Sequence, residues 1–243
     1  MAAVAAALAG ALVAASGTAR AGKAGCPHGA GGYAYAGHQA AQRGHGVRST
    51  ISLLRAPEVE AGHVAGWVGV GGPGQGANGG DAWIQAGIAA VPGVQPFLYA
   101  EVTREGRAPD FILLEEEVPV GRGYRIAVLE VAGRPGYWRV WVDGEPRTEP
   151  VHLAGSSGRW APIATAESWD GGRAACNAFG FRFERTSVAY GRGGSWRPFV
   201  PGYRFLQPGY ELRDLASAPA ERGVYRRAPQ GAGPLPYAFR ASS

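Results

Sequence analysis

Asn177-Ala178-Phe179-Gly180-Phe181-Arg182-Phe183-Glu184-Arg185 alternates aromatic and polar residues over most of its length. A period of two puts Phe179, Phe181 and Phe183 on one side of an extended chain and Arg182 and Glu184 on the other, the pattern of a strand buried on one face only. Upstream, 124–132 and 137–143 read as the two arms of a hairpin joined at Gly133-Arg134-Pro135-Gly136, with Asp143-Gly144 turning the chain onward. From Gly31 to Tyr190 the theme recurs in about eleven runs of β-branched and aromatic residues, each ended by Gly, Pro or Asp-Gly. One-sided strands with short turns predict an all-β fold, two antiparallel sheets packed face to face as a sandwich.

Composition agrees. Glycine (40) and proline (18) make up about a quarter of the 243 residues, a level that breaks helices every few turns while tight turns use both residues well. An all-α fold is excluded. Hydrophobic residues at 46% and aromatics at 10% are ample for a packed core, which excludes wholesale disorder. The net charge of +5 is spread over scattered arginines, with Arg226-Arg227 the single adjacent basic pair, so no basic patch and no nucleic-acid partner are expected. After Trp196 the strand pattern stops, and Pro198, Pro201, Pro208, Pro219, Pro229, Pro234 and Pro236 stand among polar residues and arginines. That composition predicts an extended or disordered tail over 196–243, with the sandwich confined to 22–195.

The run from Ala2 to Ala15 is almost wholly Ala, Val, Leu and Gly, followed by small residues and an Ala-x-Ala pattern at Ala19 and Ala21. It reads as a secretory signal over 1–21, too short to span a bilayer, so the expectation is a secreted protein with no membrane partner. Two cysteines follow, Cys26 and Cys176. In an oxidising compartment an even count points to a disulfide between them, the alternative being two buried thiols.

Motifs that carry chemistry on their own are absent. Gly69, Gly71 and Gly74 fit the letters of a phosphate loop, but Pro73 interrupts them and no helix follows. His28, His38, His45, His63 and His152 lack metal-ligand spacing. Neither a Cys-x-x-Cys pair nor a Gly-x-Ser-x-Gly elbow occurs, so neither a metal nor any other cofactor is expected. What remains is a set of polar and aromatic residues on strands. Trp83, Gln85 and Gly87 share one face opposite Ile84, Ala86 and Ile88; Ile163, Thr165 and Glu167 share a face; Tyr99 and Glu101 do the same. A carboxylate can take a proton from water, and a primary amide can orient that water and donate to a developing oxyanion, so a Gln and a Glu on one sheet can hydrolyse an acyl bond.

In order and at comparable spacing, Trp67-Val68-Gly69-Val70, Ile84-Gln85-Ala86-Gly87-Ile88, Tyr99-Ala100-Glu101 and Ala166-Glu167 resemble the eqolisin family of glutamic peptidases. The resemblance runs from about Gly31 to Tyr190. It implies a concanavalin A-like sandwich of jelly-roll type and secreted, acid-acting peptide hydrolysis. It also implies that Gln85 and Glu167 are the catalytic pair, with Trp67, Trp83, Tyr99 and Glu101 along the substrate site. A polypeptide substrate and a monomeric enzyme are the matching expectations. The chain departs from the family at Gly71-Gly72, where Asp-Gly is usual, and at Ser168-Trp169, where Trp usually comes first. The alternative function is a non-catalytic concanavalin-like module binding carbohydrate or peptide on tryptophans such as Trp138, Trp141, Trp160 and Trp169. A glucanase ranks below both, because its Glu-x-Asp-x-x-Glu arrangement is missing.

Overall fold

A computed structural model of the chain describes residues 32–172, 175–216 and 237–243. Among them the regular elements are all strands: β1 (Tyr33–Ala40), β2 (Gly46–Leu53), β3 (His63–Gly72), β4 (Ala82–Ala90), β5 (Phe97–Thr103), β6 (Asp110–Glu115), β7 (Gly123–Glu130), β8 (Tyr137–Val142), β9 (Glu145–Pro146), β10 (Val151–His152), β11 (Ile163–Trp169), β12 (Gly180–Ala189), β13 (Trp196–Pro198), β14 (Pro201–Leu206), β15 (Glu211–Ala216) and β16 (Tyr237–Ser242). They pair into two antiparallel sheets, one ordered β14-β1-β11-β3-β4-β5-β6 and the other β10-β8-β7-β2-β12-β16-β15, with β13 beside β12 and β9 beside β8. The sandwich read from the sequence is therefore the fold.

The alternation that predicted β12 is the one observed. Phe181 and Phe183 are fully buried, and Phe179 just before the strand is buried with them. On the other face Arg182 donates to Glu184 at 2.7 Å. The two sheets close over one apolar cluster containing Val64, Val68, Ile84 and Ile88 from the first sheet with Ile51, Ile126, Val140 and the three phenylalanines from the second. β12 bulges at Arg185, whose φ is 53°, and the register against β2 slips between Glu184 and Ser187. The Ser49 hydroxyl fills the break, donating to the Glu184 carbonyl at 3.1 Å and meeting the Thr186 hydroxyl at 2.9 Å. The polar groups that a bulge exposes are thus paired inside the core.

The expected boundary near 195 does not hold. β14 extends the first sheet beside β1, and β16 lies inside the second sheet between β12 and β15. Phe239 of β16 is fully buried and stacks on Phe183 with ring centroids 4.4 Å apart. Tyr237-Ala238-Phe239-Arg240-Ala241 carries the same period-two signal as β12, but the prolines around it dominate the composition, and its partner strand lies far back in the sequence. The expected leader (1–21) and Cys26 lie outside the described residues, as do 217–236 of the expected tail.

Candidate active site

Strand pairing lays out the outer face of the first sheet in cross-strand rows. Ile163, Gly69, Gln85, Glu101 and Phe111 form one; Gly37, Thr165, Trp67, Gly87 and Tyr99 the next; Tyr35, Glu167, Ala65, Ala89 and Phe97 the third; Tyr33, Trp169 and His63 the last. Because side chains alternate along each strand, Gln85, Glu167, Trp67, Tyr99 and Glu101 all stand on this one face, with Trp83 two residues before Gln85. Valine, isoleucine and alanine of the intervening positions fill the core behind them. Gly87 keeps the middle row low: a Cβ there would come within 2.1 Å of the Gly66 carbonyl oxygen and 2.7 Å of the Trp67 Cβ.

Gln85 and Glu167 are two strands apart and four residues out of line, on the order of 15 Å between Cα atoms in a flat sheet. They do not hydrogen-bond each other, and each is held by its own neighbour on the face. The Gln85 Nε2 donates to the Tyr99 hydroxyl at 3.2 Å, which leaves its second N–H and the phenol's own proton uncommitted among the described residues. Glu167 Oε1 meets His63 Nε2 at 3.2 Å. Both carriers of the proposed chemistry are buried, Gln85 8% and Glu167 5% exposed.

The Trp83 indole N–H donates to Glu101 Oε1 at 2.9 Å. Burial pushes the Glu101 carboxyl up to about 7, the Trp83 N–H opposing and the Glu167 charge adding to the rise. Burial, reinforced by the charges of Glu167 and Glu101, also pushes the Tyr99 phenol well above its ordinary range, so it stays protonated. Tyr33 and Tyr35 are raised by burial and by Glu167 in the same way. Trp67 is nearly buried, and its Nε1 has no partner among the described residues. An apolar shelf of Ala65, Trp67, Ala89, Val91, Phe97 and Tyr99, flanked by Tyr35, Phe111 and Ile163, surrounds these polar groups. Among the described residues no three His, Cys, Asp or Glu side chains gather as a metal site.

His63, Tyr33 and Tyr35 were not among the sequence candidates. Parity with Ala65 and Trp67 puts His63 on the site face, and a search for side chains sharing that face, in place of metal-ligand spacing, would have found it. Two of the tryptophans considered as sugar platforms are core residues instead, since Trp138 is fully buried and Trp160 3% exposed, with their rings stacked at 6.2 Å.

The chain matches no model of a known protein family and no curated protein sequence. Among solved structures, scytalidoglutamic peptidase with a transition-state analogue inhibitor superposes with a TM-score of 0.52 at 12% identity, over 86% of this chain and 97% of that one. The likeness is one of fold. A member of the eqolisin family in complex with the tripeptide Ala-Ile-His gives a TM-score of 0.45 at 11% identity, covering 88% of this chain and 98% of that one. A carbohydrate-binding module from Bacillus subtilis gives 0.32 at 10% identity, over 56% and 77%.

Proposed function

We propose that the chain is a peptide hydrolase of the glutamic type, with Glu167 and Gln85 as its working pair. The observation that carries this reading is the presence, on one partly dry sheet face, of a carboxylate with one oxygen held and the other without a hydrogen bond among the described residues, and of a primary amide with one N–H likewise free among them. Glu167 Oε2 accepts a proton from a water, and the oxygen of that water attacks the peptide carbonyl carbon. The carbonyl oxygen, now negative, receives the free N–H of Gln85. The tetrahedral carbon then expels the amine, to which Glu167 returns the proton; the C–N bond breaks and one carboxylic acid and one amine are released. Tyr99, protonated and accepting from Gln85, fixes the amide and offers its own O–H as a second donor on the same face.

The same carboxyl must be ionised to accept the proton and protonated to give it back, so an acidic working range follows. The apolar shelf around Trp67 and Phe97 suits the side chains of a polypeptide. A binding module needs neither an ionised carboxylate nor an amide on that face, so substrate class discriminates the two readings. Denatured protein and neutral oligosaccharides, each incubated with the purified chain from pH 2 to 7, are expected to yield new amine and carboxyl ends from the protein only. Sugar binding with no peptide cleavage at any pH contradicts the proposal.

A further inference from the structure

We propose that His63 is a positioning residue for Glu167: its Nε2–H holds Oε1 of the carboxylate, so that Oε2 is the oxygen that works on water. The inference deepens the hydrolase reading and rests on it for its activity arm alone.

The pair is built into the fold. His63 opens β3 and Glu167 lies on β11, the strand paired with it. His63 is 3% exposed and its Nε2 lies 3.2 Å from Glu167 Oε1. Nδ1 is buried and has no partner among the described residues, so Nε2 is the nitrogen that bonds protein and the one that carries the proton. Aromatic rings fix the imidazole, Trp169 at a centroid distance of 5.7 Å and Tyr33 edge-on at 6.0 Å. Gly62, with φ of 68°, delivers the chain into this position, and a Cβ there would fall 2.0 Å from the Trp169 carbonyl oxygen. Any other residue meets both the strained backbone and that clash.

The other titratable groups facing Glu167 are Tyr33 and Tyr35 from β1 and Tyr99 and Glu101 from β5, and burial raises all four. β4 contributes Gln85, which carries no charge. His63 touches the oxygen that the proposed chemistry leaves unused.

The test reads the ring nitrogens of wild-type His63 by NMR in the full chain, together with kcat and KM for one peptide in wild type, His63→Phe and His63→Gln. The ring nitrogens are expected to show the proton on Nε2 at neutral pH. Loss of the donor in His63→Phe is expected to lower kcat by about tenfold with KM unchanged. His63→Gln, whose amide N–H reaches the same place, restores it. An unchanged kcat in folded His63→Phe, a wild-type ring protonated at Nδ1 alone, or equal loss in the Phe and Gln variants overturns the proposal. Should His63→Phe not fold, His63→Gln and the wild-type ring nitrogens decide it. If the wild type hydrolyses nothing, the hydrolase reading fails while the ring nitrogens still decide the role of His63.

Discussion

At the scale of single residues, Glu101 carries a pH dependence whose sign is fixed. Its carboxyl is pushed up to about 7 in the folded chain from 4.5, so between those values the folded state holds a proton that the unfolded state has released. Stability from this group is fully present below about pH 4.5 and is lost as pH rises through about 7, by at most about 3 kcal/mol. Thermal midpoints measured from pH 4 to 8 are expected to fall less steeply in Glu101→Gln than in wild type; parallel curves contradict the assignment. Period-two parity was enough to place Gln85, Glu167, Trp67, Tyr99 and Glu101 on outward faces. It did not bring Glu167 to His63, because that meeting depends on the register of β11 against β3, strands separated by most of the chain, and no local pattern encodes it.

Among the elements, β16 shows most clearly what the sequence conceals. A strand between β12 and β15 with Phe239 flat against Phe183 is part of the core, and its removal opens two strand edges at once. Phe239→Ala is expected to lower the unfolding free energy by about 3–5 kcal/mol in urea denaturation. A chain ending at residue 195, the boundary that proline content implies, is expected to lack a cooperative unfolding transition. A stable, cooperatively unfolding product of that truncation shows that β13–β16 are dispensable. β12 was legible because its alternation is unbroken and aromatic; β7 and β8 were legible because their turn is local. The strands after Trp196 are short and interrupted, and only their distant partners make them strands.

For the whole molecule, one fold serves two demands: a shared core behind the first sheet supports the outer face that presents Glu101, Gln85, Tyr99 and Glu167, and the strand order brings in these residues from three separate strands to do it. The sandwich class was readable from composition and turns, whereas the order of strands, in which sequence neighbours such as β10 and β11 lie in different sheets, was not. Export and a Cys26–Cys176 bridge are carried by the leader and the even cysteine count, and we retain both as proposals. Closing so long a loop would stabilise the fold by about 5 kcal/mol in the chain-entropy account. Thiol titration of denatured, unreduced protein secreted by its host is expected to find no free thiol; two would remove the bridge.

The central claim, that Glu167 and Gln85 together activate water against a peptide bond, is tested most directly by kcat/KM on one defined peptide at acidic pH for wild type, Gln85→Ala and Glu167→Gln, each with an unchanged far-ultraviolet circular dichroism spectrum. One oxyanion donor contributes about 3 kcal/mol, so Gln85→Ala is expected to lose about a hundredfold or more and Glu167→Gln at least as much. Cleavage that survives both substitutions in folded protein contradicts the account.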